Sequence, residues 1–237
     1  MEKSIMSIAR LVSYSQPAED FVSRDEVRDI QELVAYCARV SNPGNQTNSE
    51  TASKLLKYMI KHKHWSPFEM VNVCMEITTT RDIGRQILRH RSFSFQEFSQ
   101  RYADPTDAGS GLDYSIRECR LQDPVNRQNS VPVDPDNIEQ KYLEHLWIKK
   151  QQELVSLCDE TYKWAIKNGI AKEQARAVLP EGLTNSRMYI NGTLRSWIHY
   201  IEVRDGNGTQ KEHMQIAQEC AKVIVKIFPL LQETKSE

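Results

Sequence analysis

Apolar positions change period several times along the chain, and the changes divide it into elements. Ala9-Arg10-Leu11-Val12-Ser13-Tyr14 reads as a short strand. Ile30, Leu33, Val34, Cys37 and Ala38 then recur at helical spacing, with Ser23-Arg24-Asp25-Glu26 as a capping box ahead of them. Asn42-Pro43-Gly44-Asn45 ends that helix, since the proline ring and the turn-forming residues cannot continue it. Thr47-Asn48-Ser49-Glu50 repeats the capping signature and leads into a helix whose Leu55, Leu56, Met59 and Ile60 share one face. The period then falls to two. Val71, Val73, Met75 and Ile77 alternate with Asn72, Cys74, Glu76 and Thr78, which predicts a half-buried strand. A helical pattern resumes from Arg81 through Gln86 to Leu88.

From Asp104 to Asn137 periodicity is lost, and Pro105, Gly109, Gly111, Pro124, Pro132 and Pro135 punctuate a long irregular surface excursion. A long helix is expected from Ile138 to Asn168, carrying Leu143, Leu146, Trp147, Leu154, Leu157 and Trp164, with Gly169 placed to end it. A short helix then runs into Val178-Leu179-Pro180, and the last two helical patterns cover 194–203 and 211–231. Helix dominates, with one clear strand and a few possible ones. The expected fold class is α+β, a helix-rich single domain around a small, mostly antiparallel sheet, without repeats or a domain boundary.

Composition narrows the function classes. The chain has 237 residues, enough to bury a substantial core, with a net charge of -1. That balance argues against a dedicated nucleic-acid binder, whose affinity rests on neutralising many phosphates. No apolar stretch is long enough to span a bilayer, and the first residues lack the apolar core of a signal peptide, so a cytoplasmic location is expected. Cys37, Cys74, Cys119, Cys158 and Cys220 are odd in number and widely spaced, which suits scattered reduced thiols better than a disulfide framework or a zinc site.

Charge is nevertheless unevenly placed. Between Arg81 and Arg101 lie five arginines against Asp82 and Glu97. Arg81, Arg85 and Arg89 share one side of a helix, and for the first two a solvated face is an equally good reading. Arg89-His90-Arg91 is different, because Ile87 and Leu88 precede it and Phe93, Phe95 and Phe98 follow. Cationic groups so crowded beside apolar residues are costly unless an anion compensates them, and guanidinium forks match phosphate. Ser92, Ser94, Gln96, Glu97, Ser99 and Gln100 add groups suited to sugar hydroxyls and a base edge, and Arg101-Tyr102 closes the run. These residues point to a nucleotide or dinucleotide site. His62, His64 and Glu69 superficially suggest metal ligands, but no third ligand at helical spacing accompanies them, and no metal is expected.

The same segment resembles the signature of the flavin-dependent thymidylate synthases. Arg89, His90, Arg91, Ser94, Glu97, Ser99, Arg101 and Tyr102 fill the family pattern R-H-R-x-x-S-x-x-E-x-S-x-R-Y. Three further blocks are similar in the same order: Ala38-Arg39-Val40-Ser41, the run from His62 to Glu69, and Ala175-Arg176-Ala177-Val178-Leu179-Pro180 with Leu194-Arg195-Ser196-Trp197-Ile198-His199 and Arg204. The resemblance spans 35–212 and leaves out the excursion. The sequence departs from the pattern at Gln96, where many members show Asn, at Ser66, where Thr is frequent, and at Thr193, near a position often held by Asn.

The resemblance implies conversion of dUMP to dTMP, with methylenetetrahydrofolate as carbon donor and FAD reduced by NADPH. It implies Arg204 as the group that stabilises charge on the pyrimidine, and Gln86, Arg89, Glu97, Ser99, Gln100, Arg101 and Arg176 as further dUMP contacts. Ser99 has the residue type of a nucleophile, but no Ser-His-acid spacing supports it, so a substrate-positioning role is expected. The implied FAD site comprises His64, Ser66, Glu69, Arg89, His90, Arg91, Glu97, Thr193, Arg195 and His199, and the implied assembly is a homotetramer with active sites at subunit interfaces. Two other readings remain: another nucleotide-binding flavoenzyme on the same scaffold, or a single-stranded nucleic-acid-binding module using 81–102, which the overall charge disfavours.

Overall fold

The computed structural model describes residues 8–233 except 26, 108, 109, 111, 112 and 207. Strand β1 (Ile8–Tyr14) is followed by helices α1 (Glu19–Asp25), α2 (Ile30–Ala38) and α3 (Ala52–Lys61), then by strand β2 (Asn72–Thr80), helix α4 (Arg81–Ile87) and strand β3 (Ser94–Glu97). The excursion carries β4 (Arg120–Gln122) and β5 (Ser130–Pro132). After it come α5 (Ile138–Lys167), α6 (Lys172–Ala175), β6 (Asn185–Thr193), α7 (Leu194–Arg204), α8 (Lys211–Ile227) and α9 (Leu230–Glu233). The main sheet has the order β1-β2-β6-β3 and every pairing in it is antiparallel. The α+β class follows.

The sheet is built on β2, whose Val73, Met75 and Ile77 are fully buried while their neighbours face outward. Against this face pack Val34 of α2, Leu56 of α3, Trp197 of α7 and Ile216 and Ile224 of α8. Trp197 also donates its ring N–H to the Val73 carbonyl at 2.9 Å, which satisfies a polar atom the core would otherwise strand.

Several expected elements form as read: β1, β2, α4, α5 with its end at Gly169 (φ 77°), and the short helix before Pro180. Three details differ. The start of α2 is capped by Asp29, not by the Ser23 box: Asp29 accepts from the Glu32 amide at 2.8 Å and Glu32 reaches back to the Arg28 amide at 2.7 Å. Ser23 lies inside α1, and Glu26 is outside the described residues. Before α3, the carboxamide of Asn48 instead of Thr47 accepts from the Thr51 amide. The last helical pattern breaks at Phe228-Pro229, since proline has no N–H to continue α8.

Two strands in the main sheet were not foreseen. In β6 the inward positions are Ser186, Met188, Ile190 and Gly192, so half of the alternation is polar or lacks a side chain. Both exceptions have physical reasons. Ser186 donates to Glu97 of β3, and a Cβ on Gly192 would sit 2.3 Å from the Phe93 ring. The excursion is also more ordered than its punctuation suggests. Strands β4 and β5 form a short hairpin, and the Arg117 backbone is clamped in both directions by the Gln151 carboxamide of α5.

Candidate active site

The two neighbouring central strands each run directly into a helix, and this arrangement builds the site. Strand β2 passes through Thr80 into α4, which presents Gln86 and delivers the chain to Arg89-His90-Arg91. Strand β6 passes through Thr193 into α7, which carries Arg195, His199 and Arg204. Thr193 is the N-cap of α7, its hydroxyl accepting from the Ser196 amide at 3.2 Å. The Ser196 hydroxyl in turn donates to the Ser92 carbonyl at 3.4 Å, tying the start of α7 to the basic loop.

At the far end of α7, Arg204 donates its Nε–H to Nε2 of His90 at 2.8 Å. An imidazole that accepts there is neutral and carries its proton on Nδ1. Burial pushes His90 down to about 4, with Arg204, His199 and Arg89 adding repulsion. The terminal nitrogens of Arg204 have no hydrogen bond among the described residues. The guanidinium is therefore fixed through one atom, with its outer edge uncommitted.

Sequence reading missed what lies beneath. His213 of α8 is completely buried, stands 6.3 Å from His90 ring to ring, and is pushed down to about 3 by burial and then by Arg204 and His90. Its Nε2 is 3.1 Å from the Tyr200 hydroxyl and its Nδ1 is 3.1 Å from Oε1 of Gln86. Gln86 donates to Gln210 at 2.8 Å, and Gln210 donates to Glu212 at 3.0 Å. Glu212 is gripped by Arg117 at 3.1 Å and Arg120 at 2.7 Å. The sequence held a partial signal, since His213 lies four residues before Ala217 on the apolar face of α8, but a lone histidine there reads as ordinary core.

Elsewhere, Glu69 closes the 3-10 turn Ser66–Glu69 and pairs with Arg195, so those two expected cofactor residues meet across 126 positions of sequence. Ser66, His64 and His199 are exposed, as are Arg89 and Arg91, and neither arginine meets a carboxylate among the described residues. Glu97 accepts from Ser186 at 2.9 Å and from Arg81 at 3.3 Å. Arg81 thus serves an internal ion pair, and Arg85 pairs with Glu181.

A second group gathers around α6. The Ser99 hydroxyl accepts from the Arg101 amide, Arg101 pairs with Glu173 at 3.5 Å, and Lys172 donates to the Tyr102 carbonyl. Arg176 follows directly on that helix, with no side-chain partner among the described residues. Gln100 is nearly buried and its Nε2 has no acceptor. No hydrogen bond, ion pair or ring contact among the described residues joins this group directly to Gln86, His90 and Arg204.

The arrangement suits an anionic ligand with polar ring edges: uncompensated guanidinium groups at Arg89, Arg91 and Arg176, an open edge on Arg204, and an orphaned donor on Gln100. It does not suit thiolate chemistry. Burial raises all five thiols, Cys37, Cys74, Cys119, Cys158 and Cys220, whereas a nucleophilic cysteine needs the opposite shift.

Comparison with known proteins agrees. Residues 10–230 match the family described as thymidylate synthase complementing protein. A probable flavin-dependent thymidylate synthase of Paramecium bursaria Chlorella virus 1 is 46% identical over 221 residues, covering 93% of this chain and 95% of that protein. A flavin-dependent thymidylate synthase of Synechocystis sp. is 45% identical with the same coverage. The UMP/dUMP methylase PolB of Streptomyces cacaoi, solved with 5-Br dUMP, shares the fold with a TM-score of 0.73 at 23% identity, over 96% of this chain and 93% of that one. With a family match over nearly its whole length and relatives this similar, the chain belongs to the thymidylate synthase complementing proteins, the flavin-dependent thymidylate synthases.

Proposed function

We propose that the protein is a flavin-dependent thymidylate synthase that methylates dUMP to dTMP, taking the carbon from methylenetetrahydrofolate and using FAD reduced by NADPH. The observation that carries this reading is Arg204, held through its Nε by a neutral His90 while its terminal nitrogens carry no hydrogen bond among the described residues. The uracil C5 is a weak nucleophile, and electron density must be drawn toward it as the new carbon–carbon bond forms. Conventional chemistry would add a thiolate at C6. Here no thiol is activated, and a fixed guanidinium stabilising an anionic pyrimidine supplies the equivalent help. Because Arg204 is restrained beforehand, little reorganisation is needed when that charge develops.

Around it, Gln86 and Arg89 contact the nucleotide, Arg176 and Arg101 hold its phosphate, and Glu97, Ser99 and Gln100 anchor sugar and base. Ser99 acts as an anchor, its hydroxyl lying beside the Arg101 amide with no base to activate it. FAD would be held by Arg89, His90 and Arg91 with His64, Ser66, Glu69, Glu97, Thr193, Arg195 and His199; the exposed, unpaired Arg89 and Arg91 fit its pyrophosphate. When bound, the flavin supplies the hydride that completes the methyl group. That no hydrogen bond or ion pair among the described residues joins the α6 group to the Arg204 group supports a homotetramer in which a partner subunit completes each site. We read the chain as one domain acting in the cytoplasm; among the described residues no helix is long and apolar enough to cross a membrane.

The test is optical. Purified protein is expected to be yellow, to hold FAD, and to show a flavin absorbance change on adding dUMP. Colourless protein that takes up no FAD would contradict the proposal.

A further inference from the structure

The geometry points to Glu212 as a positioning residue that, through Gln210, fixes the direction in which the Gln86 carboxamide faces the substrate. This inference rests on the reading that Gln86 contacts dUMP. It concerns a chain of five side chains, Glu212, Gln210, Gln86, His213 and Tyr200, whose hydrogen bonds can run in only one direction.

The direction starts from Glu212. Burial pushes its carboxyl up, but Arg117, the Glu212 amide, Arg120 and Gln210 together outweigh this and hold it below the usual carboxylate range. An ionised carboxylate only accepts. Gln210, 3.0 Å away, must therefore turn its NH2 to Glu212, which leaves its carbonyl oxygen toward Gln86. At 2.8 Å from that oxygen, Gln86 must place its own NH2. Its carbonyl is then left for His213, whose Nδ1 must carry the proton, and His213 Nε2 accepts from the Tyr200 hydroxyl. Each step follows from donor and acceptor inventory alone, so one carboxylate sets two amide orientations and one tautomer.

The consequence falls on Gln86. One Nε2–H is committed to Gln210 and one carbonyl lone pair to His213, so the second Nε2–H remains as the donor the residue can offer. Reversing the amide would exchange donor and acceptor at the substrate. Pyrimidine carbonyls and phosphate oxygens are acceptors, and a presented N–H matches them where a presented carbonyl would be repelled. Arg117 and Arg120 both lie in the 104–137 excursion, which gives that segment a defined duty. It pins Glu212, with Arg117 further tied to Asp82 at 2.7 Å and to Thr80 at 2.5 Å.

The experiment uses the FAD-loaded wild-type protein and four variants. In wild type, selective 15N labelling of histidine, with His213→Gln to assign the signal, reads the ring tautomer directly. The expected result is Nδ1–H for His213; Nε2–H overturns the chain's direction. Glu212→Gln removes the fixed acceptor and is expected to raise the dUMP dissociation constant, read from flavin absorbance, and the dUMP KM about tenfold, with kcat changed less than about twofold. The double variant Gln210→Glu with Glu212→Gln keeps total charge and puts the carboxylate next to Gln86, so it is expected to restore affinity to within about threefold. An ion-pair role for Glu212 alone would not be rescued by the exchange, and failure of rescue overturns the inference. Gln86→Leu separates the two levels: unchanged dUMP affinity there refutes the assignment of Gln86 to the substrate. Loss of affinity in Gln86→Leu with none in Glu212→Gln refutes the positioning role alone. The wild-type tautomer judges the chain even where Glu212→Gln does not fold.

Discussion

His213 is buried and His90 half-buried next to Arg204, and both are held neutral well below the ordinary histidine range. The unfolded chain binds these two protons near pH 6.5, while the folded chain resists them until about pH 4 for His90 and about pH 3 for His213. Their folded values are depressed, so the unfolded state binds more protons through this window. The folded state is therefore expected to lose stability as pH falls from about 6.5 toward 4. Thermal midpoints of wild type and His213→Gln between pH 7 and pH 4.5 check this: the variant's midpoint should fall less steeply, and parallel curves would contradict a neutral, buried His213. Sequence alone showed His90 through its place between two arginines. It could not show His213, Tyr200 or Gln210, because what joins them to Gln86 and to each other are contacts 13 to 127 residues apart that no local pattern encodes.

At the scale of elements, helix starts show how local chemistry selects among competing signals. Ser23-Arg24-Asp25-Glu26 has the composition of a cap, yet Asp29-Ile30-Gln31-Glu32 makes the reciprocal bonds at the start of α2. Both boxes are chemically valid, and the one adjoining the buried Ile30 prevails. Asp29→Ala is expected to cost about 1 kcal/mol in chemical denaturation, whereas Ser23→Ala should cost under about 0.5 kcal/mol. Equal losses would contradict the assignment. Strand β2 was legible because its inward Val73, Met75 and Ile77 are apolar and β-branched or long. Strand β6 was not, because Ser186 and Gly192 occupy inward positions for reasons of partnership and space. These exceptions adjoin functional segments: Ser186 holds Glu97, and Gly192 makes room for Phe93 just after the basic triplet.

The whole molecule shows a feature that one chain does not satisfy. Helix α5 runs for 30 residues, yet only Gln151, Tyr162 and Ala165 along it are buried. Leu143, Trp147, Leu154, Leu157 and Trp164 are exposed along a stripe of helical spacing. We read this stripe as a subunit contact of the proposed homotetramer, in keeping with a site whose residues form two separate groups. Leu154→Lys with Leu157→Lys is expected to shift sedimentation toward smaller species and to lower dTMP formation in parallel. An unchanged sedimentation coefficient would contradict this use of α5. The sequence displayed these apolar residues plainly, but their periodicity could not tell a face buried within the chain from one kept for a partner.

In the proposed reaction the chain makes dTMP with Arg204 as the group that stabilises the reacting pyrimidine. The most direct measurement is growth of a thymidine-requiring strain carrying either wild type or Arg204→Ala. Losing one preorganised donor to developing charge costs on the order of 100-fold in rate. Growth without thymidine is expected for wild type and none for Arg204→Ala, with the variant still binding FAD. Failure of wild type to support growth, or full rescue by Arg204→Ala, would contradict it.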